Sequence, residues 1–262
     1  MSIHPTAIVA GGAQLGAEVT VGPYTIIEEG VQIGDRCQIG PHCVIRPRVR
    51  LGSDCQLDVG VVLGSAPQDR KFGGEETFVQ IGDNNILREY VTIHRATGEG
   101  EATIIGDDNF LMAYCHLGHN VRLGSHIMIA SYTGVSGHCV VEDNANLGGL
   151  TGLHQYVTIG RLAMVGGCAR IARDVPPFTT AVGNPSEIVG INSVGLRRHG
   201  ATKEQEVAVR QAFRLLFRSQ FNTSDAIVAI REQGELTEHV RELIEFMERI
   251  GRGRAGRQVN PH

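Results

Sequence analysis

Aliphatic residues recur at every sixth position along most of this chain. Counting in steps of six from Ile3 to Ile171 gives 29 positions, and 26 of them are Ile, Leu or Val. The exceptions are Asp69, Glu75 and Glu99. A period of six fits neither an amphipathic helix nor the alternation of an open sheet, and it is typical of a hexapeptide parallel β-helix. The pattern therefore predicts a triangular prism in which three hexads form one coil and residues 18 apart stack on one another.

The composition agrees with a regular aliphatic core. The chain has 34 glycines, no tryptophan and only 5% aromatic residues, so large rings cannot fill the interior. Glycine often follows the aliphatic position, where we expect the backbone to turn a corner of the prism. All cysteines except Cys168 fall two residues before an aliphatic position, which predicts packing residues instead of disulfides or zinc ligands; they are Cys37, Cys43, Cys55, Cys115 and Cys139.

Two loops and a change of period divide the chain further. The segments at about 64–80 and 94–102 interrupt the repeat without changing its phase, and we expect them to project from the prism. The repeat ends near Val182, which predicts a β-helix over residues 1–185 and a C-terminal α-helical domain over 186–262. Capping residues and apolar faces predict three helices there: from Thr202 to about Ser219, after Thr223 or Ser224, and from Thr237 to Gly251. The tail 252–262 is expected to be frayed.

Charge and hydropathy exclude several classes of protein. The formal net charge is −4, which argues against a protein that coats nucleic acid. Residues 1–10 do not resemble an export signal. The uncharged stretch Leu123–Val141 contains Gly, Ser and His, so we do not expect membrane insertion. We expect a cytoplasmic protein.

The coil spacing predicts a cluster of histidines on one wall of the prism. It stacks four pairs: His119 on Gly137, Asn120 on His138, His116 on Gly134, and His94 on Met112. Bases grouped beside glycines suit acid–base catalysis on a bound ligand. Three histidines from two coils could instead hold zinc, as in a carbonic-anhydrase-like β-helix. A non-catalytic scaffold is the third alternative.

Several short motifs occur in a defined order along the chain: Gln68-Asp-Arg-Lys71, Val91-Thr-Ile-His-Arg95, His116-Leu-Gly-His119, Ser136-Gly-His138, Leu153-His-Gln155, Val165-Gly-Gly-Cys168 and Asp174-Val-Pro-Pro177. With the repeat, they resemble the acyl-carrier-protein-dependent UDP-N-acetylglucosamine 3-O-acyltransferases of lipid A biosynthesis, over essentially the whole chain. The resemblance implies a left-handed β-helix that assembles as a homotrimer and needs no cofactor or metal. It also implies transfer of a 3-hydroxyacyl chain from acyl carrier protein to the 3-hydroxyl of UDP-N-acetylglucosamine, the first step of that pathway.

The resemblance also implies roles for individual residues. His119 matches the general base, and the N–H of Gly137 matches the group that stabilises the oxyanion. Asn192 and Arg198 match positions near the uridine and phosphate. The other positions that match contacts to the sugar nucleotide or acyl donor are Gln68, Asp69, Lys71, His94, His116, His138, His154 and Gln155. Near the end of the β-helix, four arginines are candidates for docking the acidic carrier protein: Arg170, Arg173, Arg197 and Arg198.

Three positions depart from the family pattern. Asn120 follows the matched base where many members have Asp, so we expect the base to be less strongly assisted. Val194 and His199 stand where an acidic and a basic residue often contact the nucleotide. The departures leave room for a sugar with a 3-amino group as the acceptor, which would give an amide product.

Overall fold

Residues 1–258 are described by a computed structural model, and the repeat within them forms a triangular prism. Over this range three sheets make its walls. Sheet A contains β1 (Ser2–Ile3), β4 (Thr20–Val21), β7 (Gln38–Ile39), β10 (Gln56–Leu57), β13 (Ile86–Leu87), β16 (Phe110–Leu111), β19 (Met128–Ile129), β22 (Asn146–Leu147), β25 (Met164–Val165), β27 (Thr179–Val182) and β28 (Glu187–Ile191).

The other two walls are parallel throughout. Sheet B contains β2 (Ile8–Val9), β5 (Ile26–Ile27), β8 (Val44–Ile45), β11 (Val62–Ser65), β14 (Thr92–His94), β17 (His116–Leu117), β20 (Gly134–Val135), β23 (Gly152–Leu153) and β26 (Arg170–Ile171). Sheet C contains β3 (Gln14–Leu15), β6 (Gln32–Ile33), β9 (Val49–Leu51), β12 (Phe78–Ile81), β15 (Ala102–Ile105), β18 (Arg122–Leu123), β21 (Val140–Val141) and β24 (Thr158–Ile159).

The aliphatic repeat forms the core, as predicted. The hexad residues from Val21 to Ile171 that lie on strands are buried in one continuous cluster, and the five in-phase cysteines are buried with them as free thiols. Exposed Cys168 lies outside this cluster. Because the interior is narrow, small aliphatic side chains fill it and few aromatic rings are needed.

The glycines that follow the aliphatic positions serve a different purpose from the one predicted. The left-handed backbone at the corners belongs mostly to other residues, such as Asn120 (φ 56°) and His138 (φ 60°). A Cβ on Gly22 would lie 2.7 Å from the carbonyl carbon of Gly40, and one on Gly118 would lie 2.9 Å from the nitrogen of Gly137. These glycines therefore allow close stacking of adjacent coils instead of a positive φ.

Both loops insert whole hexads, which corrects one predicted contact. Leu51 pairs with Ile81, and Ile93 pairs with Leu117. Stacked residues are 18 positions apart over most of the prism. They are 30 positions apart across the first loop and 24 positions apart across the second. The predicted stacking of His94 on Met112 is therefore wrong. The second loop inserts six residues, which keeps the aliphatic positions in step but moves each later residue to the next wall of the prism.

The helical region begins later than predicted and has four helices within the described residues. They are α1 (Ser193–Arg198), α2 (Lys203–Arg218), α3 (Thr223–Arg231) and α4 (Glu238–Arg252). Residues 187–191 instead form β28, antiparallel to β27. The capping box at Thr202 is present, whereas α3 is capped by Asn222 and α4 continues past Gly251. None of the helices in residues 1–258 is long and apolar enough to cross a membrane.

The chain after α4 returns to the prism, so the predicted fraying is wrong for the part that the structure describes. Gly256 accepts a hydrogen bond from the backbone N–H of Asp174 (2.8 Å), and Gln258 donates its N–H to Asp174 Oδ2 (2.7 Å). The other carboxylate oxygen accepts the N–H of Thr158 (2.8 Å). Asp174 thus joins the tail to the last coils, while residues 259–262 lie outside the described range.

Asp174→Asn is expected to change how stability depends on pH. Asp174 is 5% exposed, and burial raises the pKa of its carboxyl from 3.8 to about 6. A raised carboxyl pKa means that the folded state favours the protonated form, so stability is lost as pH rises from about 4 through 6. Relative to the variant, the unfolding free energy of the wild type should fall by about 3 kcal/mol over this range. Denaturant unfolding at fixed protein concentration measures it, and a constant difference between the two proteins would contradict the expectation.

Candidate active site

One edge of the prism gathers most of the predicted site residues. We call it the B–C corner, meaning the turns that lead from sheet B into sheet C. Both inserted loops, residues 66–77 and 95–101, leave the prism there. The turns that carry His119, His138 and Tyr156 lie at the same corner on successive coils. Parallel coils therefore bring residues from distant parts of the chain to a single edge.

His119 lies directly against Gly137 on the next coil. A Cβ built on Gly137 would be 2.5 Å from His119 Nε2, so only glycine leaves room for the ring. The His119 and His138 rings meet edge to face with their centroids 5.0 Å apart, and His138 stacks on Tyr156 at 4.7 Å. No acceptor within residues 1–258 takes the backbone N–H of Gly137. The corner thus places an imidazole nitrogen beside an available N–H donor.

The second loop supplies neighbours for the other nitrogen of His119. Asn120 Oδ1 lies 2.9 Å from His119 Nδ1 and accepts the backbone N–H of Thr97 at 2.9 Å. The hydroxyl of Thr97 reaches the same oxygen at 3.0 Å. Sequence reasoning did not find Thr97, because its partner stands 23 residues away and the inserted loop obscures the register.

Two further histidines, buried His94 and half-buried His116, form a pair next to this group. The His94 and His116 rings meet edge to face at 4.9 Å, and His116 Nδ1 is 2.8 Å from the hydroxyl of Thr92. Burial, with the neighbouring His116 and His119, lowers the pKa of His94 to about 4, and burial also lowers the pKa of His116. Both rings are therefore neutral near neutral pH and offer polar nitrogens without charge.

The first loop is connected to the second, and it starts beside the histidines, because the backbone of Ala66 lies close to the His94 side chain. Phe72 lies under the guanidinium of Arg95, 5.2 Å from ring centroid to Cζ. Asp69 Oδ1 accepts the N–H of Lys71 at 3.0 Å, while the Lys71 and Gln68 side chains are exposed. Among the described residues the Lys71 side chain has no hydrogen bond or ion pair with the histidines. Within a single chain, this lysine, which is predicted to bind substrate, is therefore exposed to solvent.

His154 and Gln155 lie one coil further along the same corner and are held by the C-terminal tail. Arg257 Nη1 lies 2.7 Å from His154 Nδ1 and donates to the carbonyl of Gln155 at 2.9 Å. His154 Nδ1 also lies 3.0 Å from the same Gln155 carbonyl oxygen, so a donor and an acceptor both stand beside this ring nitrogen. Sequence reasoning missed Arg257, since no local pattern links it to a residue 103 positions earlier.

Asn192 and Arg198 are not brought to this corner. Asn192 caps α1 with its side-chain oxygen and donates through Nδ2 to the carbonyl of Leu162 at 2.8 Å. Leu162 lies at the turn from sheet C to sheet A, a different edge of the prism. Arg198 is exposed in the last turn of α1. Within one chain these two residues are therefore separate from His119.

The zinc alternative gains no support from the geometry. Over residues 1–258, no group of three or more His, Cys, Asp or Glu side chains is arranged to hold a metal ion.

Comparisons with known proteins agree with the fold and the motifs. The hexapeptide transferase repeat matches residues 30–65 and 102–137, and the second domain of the UDP-N-acetylglucosamine O-acyltransferases matches 174–255. The chain is 43% identical to the acyl-[acyl-carrier-protein]–UDP-N-acetylglucosamine O-acyltransferase of Paraburkholderia phymatum, covering 96% of this chain and 98% of that protein. The enzyme of the same name from Myxococcus xanthus is 45% identical with the same coverage.

Solved structures give the same answer. LpxA from Bacteroides fragilis, a UDP-N-acetylglucosamine acyltransferase, superimposes with a TM-score of 0.92 at 32% identity, covering 98% of this chain and 99% of that chain. The UDP-N-acetylglucosamine acyltransferase of Francisella novicida gives 0.91 at 30% identity, covering 99% and 95%. The predicted left-handed β-helix with a helical C-terminal region is thereby confirmed. The chain belongs to the UDP-N-acetylglucosamine O-acyltransferase family.

Proposed function

We propose that this protein transfers a 3-hydroxyacyl chain from acyl carrier protein to the 3-hydroxyl of UDP-N-acetylglucosamine. Membership of the family supports the reaction class. The observation that carries the residue assignment is His119 Nε2 lying against Gly137, beside a backbone N–H that no described residue uses. A base and an oxyanion donor within one turn of each other are what attack on a thioester requires.

The reaction follows from this geometry. His119 Nε2 takes the proton as the sugar 3-hydroxyl oxygen attacks the thioester carbonyl carbon. The N–H of Gly137 donates to the oxygen that becomes negative in the tetrahedral intermediate. Collapse of the intermediate re-forms the carbonyl and breaks the carbon–sulfur bond, and the imidazolium returns the proton to the departing thiolate. The products are an ester and the free carrier-protein thiol.

The remaining corner residues are proposed as substrate contacts. Neutral His94 and His116 offer hydrogen bonds to sugar hydroxyl or carbonyl groups, His138 lies beside the base, and His154 and Gln155 lie one coil beyond. The first loop adds Gln68, Asp69 and Lys71, and the other edge adds Asn192 and Arg198. The last five residues do not reach His119 within one chain, so they would act on a site completed by a neighbouring copy.

A homotrimer is part of this proposal. The turns from sheet A to sheet B carry a ladder of exposed tyrosines, in which Tyr90 stacks on Tyr114 (5.1 Å) and Tyr114 on Tyr132 (4.9 Å). They are 48%, 47% and 58% exposed. Three prisms around a closed axis would bury such a ladder. A solution mass of one chain would contradict this arrangement.

Docking of the acyl carrier protein and a cytoplasmic location also belong to the proposal. The carrier protein is acidic, and cations near the end of the prism suit it. Arg170 and Arg173 lie on the last coil, whereas Arg197 already lies 3.6 Å from Glu206. Arg197 is thus the weakest candidate of the predicted four.

Lys71→Ala is expected to raise the KM for the sugar nucleotide with little change in kcat. The side chain is exposed and makes no hydrogen bond or ion pair within residues 1–258, so its removal should take away ligand binding without disturbing the prism. Lys203→Ala, at the start of α2, is the matched control because it removes an exposed ammonium elsewhere. An unchanged KM in Lys71→Ala would contradict this role.

A product assay tests the proposal as a whole. Purified protein is incubated with UDP-N-acetylglucosamine, or its 3-amino analogue, and a series of 3-hydroxyacyl carrier proteins. The proposal expects a product with the hydroxyl acceptor that mild alkali cleaves, because an ester is labile where an amide is not. Turnover of the 3-amino sugar alone would overturn the assignment of the acceptor, and no turnover with either sugar would overturn the function.

A further inference from the structure

We propose that Thr97 and Asn120 form a clamp that holds His119 in the tautomer with its proton on Nδ1, and that this clamp accepts an amide at position 120 but not a carboxylate. Its consequence for catalysis rests on the proposed role of His119 as the base. The arrangement itself does not, because it follows from the hydrogen bonds of three residues.

The orientation of the Asn120 amide is determined by the backbone of Thr97. The N–H of Thr97 donates to Asn120 Oδ1 at 2.9 Å, and Asn120 Nδ2 donates to the carbonyl of Thr97 at 3.1 Å. A backbone N–H cannot accept and a carbonyl cannot donate, so a flipped amide would lose both bonds.

The position of Asn120 is equally constrained. Its side chain is almost fully buried, with 7% of the residue exposed, and its own N–H donates to Thr103 Oγ1 at 2.9 Å. The turn holds it in the left-handed region, at a φ of 56°. The amide therefore cannot move aside without opening the corner.

This orientation decides which nitrogen of His119 carries the proton. Asn120 Oδ1 faces His119 Nδ1 at 2.9 Å, and an amide oxygen only accepts. Nδ1 must therefore be the donor, which leaves the lone pair on Nε2. Nε2 is the nitrogen beside Gly137, so the clamp directs the basic site towards the available N–H.

A carboxylate would not fit the same clamp. In Asn120→Asp, the second oxygen would replace Nδ2 and stand about 3.1 Å from the carbonyl oxygen of Thr97, with no proton between the two acceptors. Relief requires rotation of the side chain, which breaks the contact with His119 Nδ1. Substituting the charged residue that usually assists a histidine base should therefore lower activity in this chain.

The first experiment observes the tautomer directly. The wild-type chain is labelled with ¹⁵N-histidine, and two-bond proton–nitrogen correlations are recorded above pH 8, with the His119 signals identified by their absence in His119→Gln. The clamp predicts a protonated Nδ1 and a lone pair on Nε2. Finding the proton on Nε2 would overturn the proposal, and no variant has to fold for that result except the one used for identification.

The second experiment measures kcat, KM and the pH profile of Asn120→Asp. We expect kcat to fall at least about tenfold with little change in KM, because histidine bases in the wrong tautomer lose most of their activity. Asn120→Ala should lose activity similarly, and Thr97→Ser, which keeps the hydroxyl and backbone, should retain it. Asn144→Asp is the matched control, since it makes the same change at a left-handed corner position on another edge.

The outcomes separate the clamp from the proposed function. Activity of Asn120→Asp equal to or above wild type, with the acid limb of kcat/KM moved to higher pH, would show that a carboxylate is tolerated and would overturn the clamp. An inactive wild-type protein with the predicted tautomer would overturn the function and leave the clamp standing.

Discussion

His119→Ala is expected to reduce kcat/KM for acyl transfer by about 10²- to 10⁴-fold, the range for removal of a general base. The loss should fall on kcat, because the imidazole acts on the proton that moves in the transition state and is not needed to hold the sugar nucleotide. The fold should survive, since the ring lies on the outside of the corner, half-buried, and not in the aliphatic core. Steady-state kinetics with the carrier-protein thioester measure the effect.

His126→Ala is the control for this prediction. His126 also occupies a left-handed corner position (φ 58°), but it lies on another edge and near Asp108. Its activity should equal that of the wild type. Retention of more than about a tenth of wild-type kcat in His119→Ala would remove His119 from the role of base.

Gly137→Ala is expected to reduce kcat by at least about 10²-fold. This is the size of the effect when one oxyanion donor no longer reaches its oxygen. The added Cβ would lie 2.5 Å from His119 Nε2 and 2.6 Å from its Cε1, so the ring must move away. Both the base and the donor would then be misplaced by one methyl group. The backbone of Gly137 lacks a positive φ, so alanine is compatible with the turn and the fold should persist.

Gly11→Ala tests whether the effect is specific. A Cβ there meets nothing within 4 Å, and Gly11 lies in the first turn from sheet B to sheet C, far along the prism from His119. Circular dichroism should be unchanged for both variants. If Gly137→Ala kept wild-type kcat, the contact between Gly137 and the imidazole would have no part in the reaction.

Much of the prism could be predicted from the sequence because each coil repeats the same short-range pattern of residues. The aliphatic period gave the wall positions, and 18-residue spacing correctly placed His119 on Gly137 and Asn120 on His138. It failed for His94, because an insertion of six residues leaves the phase intact and moves every later residue to the next wall. Period alone cannot distinguish an inserted hexad from a stacked one.

In the C-terminal region, too, short-range features were predictable from the sequence and long-range contacts were not. The capping box at Thr202 marks the start of α2 through contacts within four residues, so the sequence predicts it well. The return of the tail to Asp174 and His154 depends on where α4 ends and what surface lies beneath it. Those contacts join residues 84 and 103 positions apart, so no local pattern contains them.

The sequence by itself determined the β-helix, its aliphatic core, the two loops and the edge on which His119, Gly137 and His138 meet. The period of six specifies these features because each coil repeats the same local geometry. Only the tertiary structure decided which groups surround the imidazole. The amide of Asn120 is oriented by Thr97, in a loop whose register no period reveals. Hydrogen bonds of that kind depend on the direction of single N–H and C=O groups, which appear only when the chain has folded.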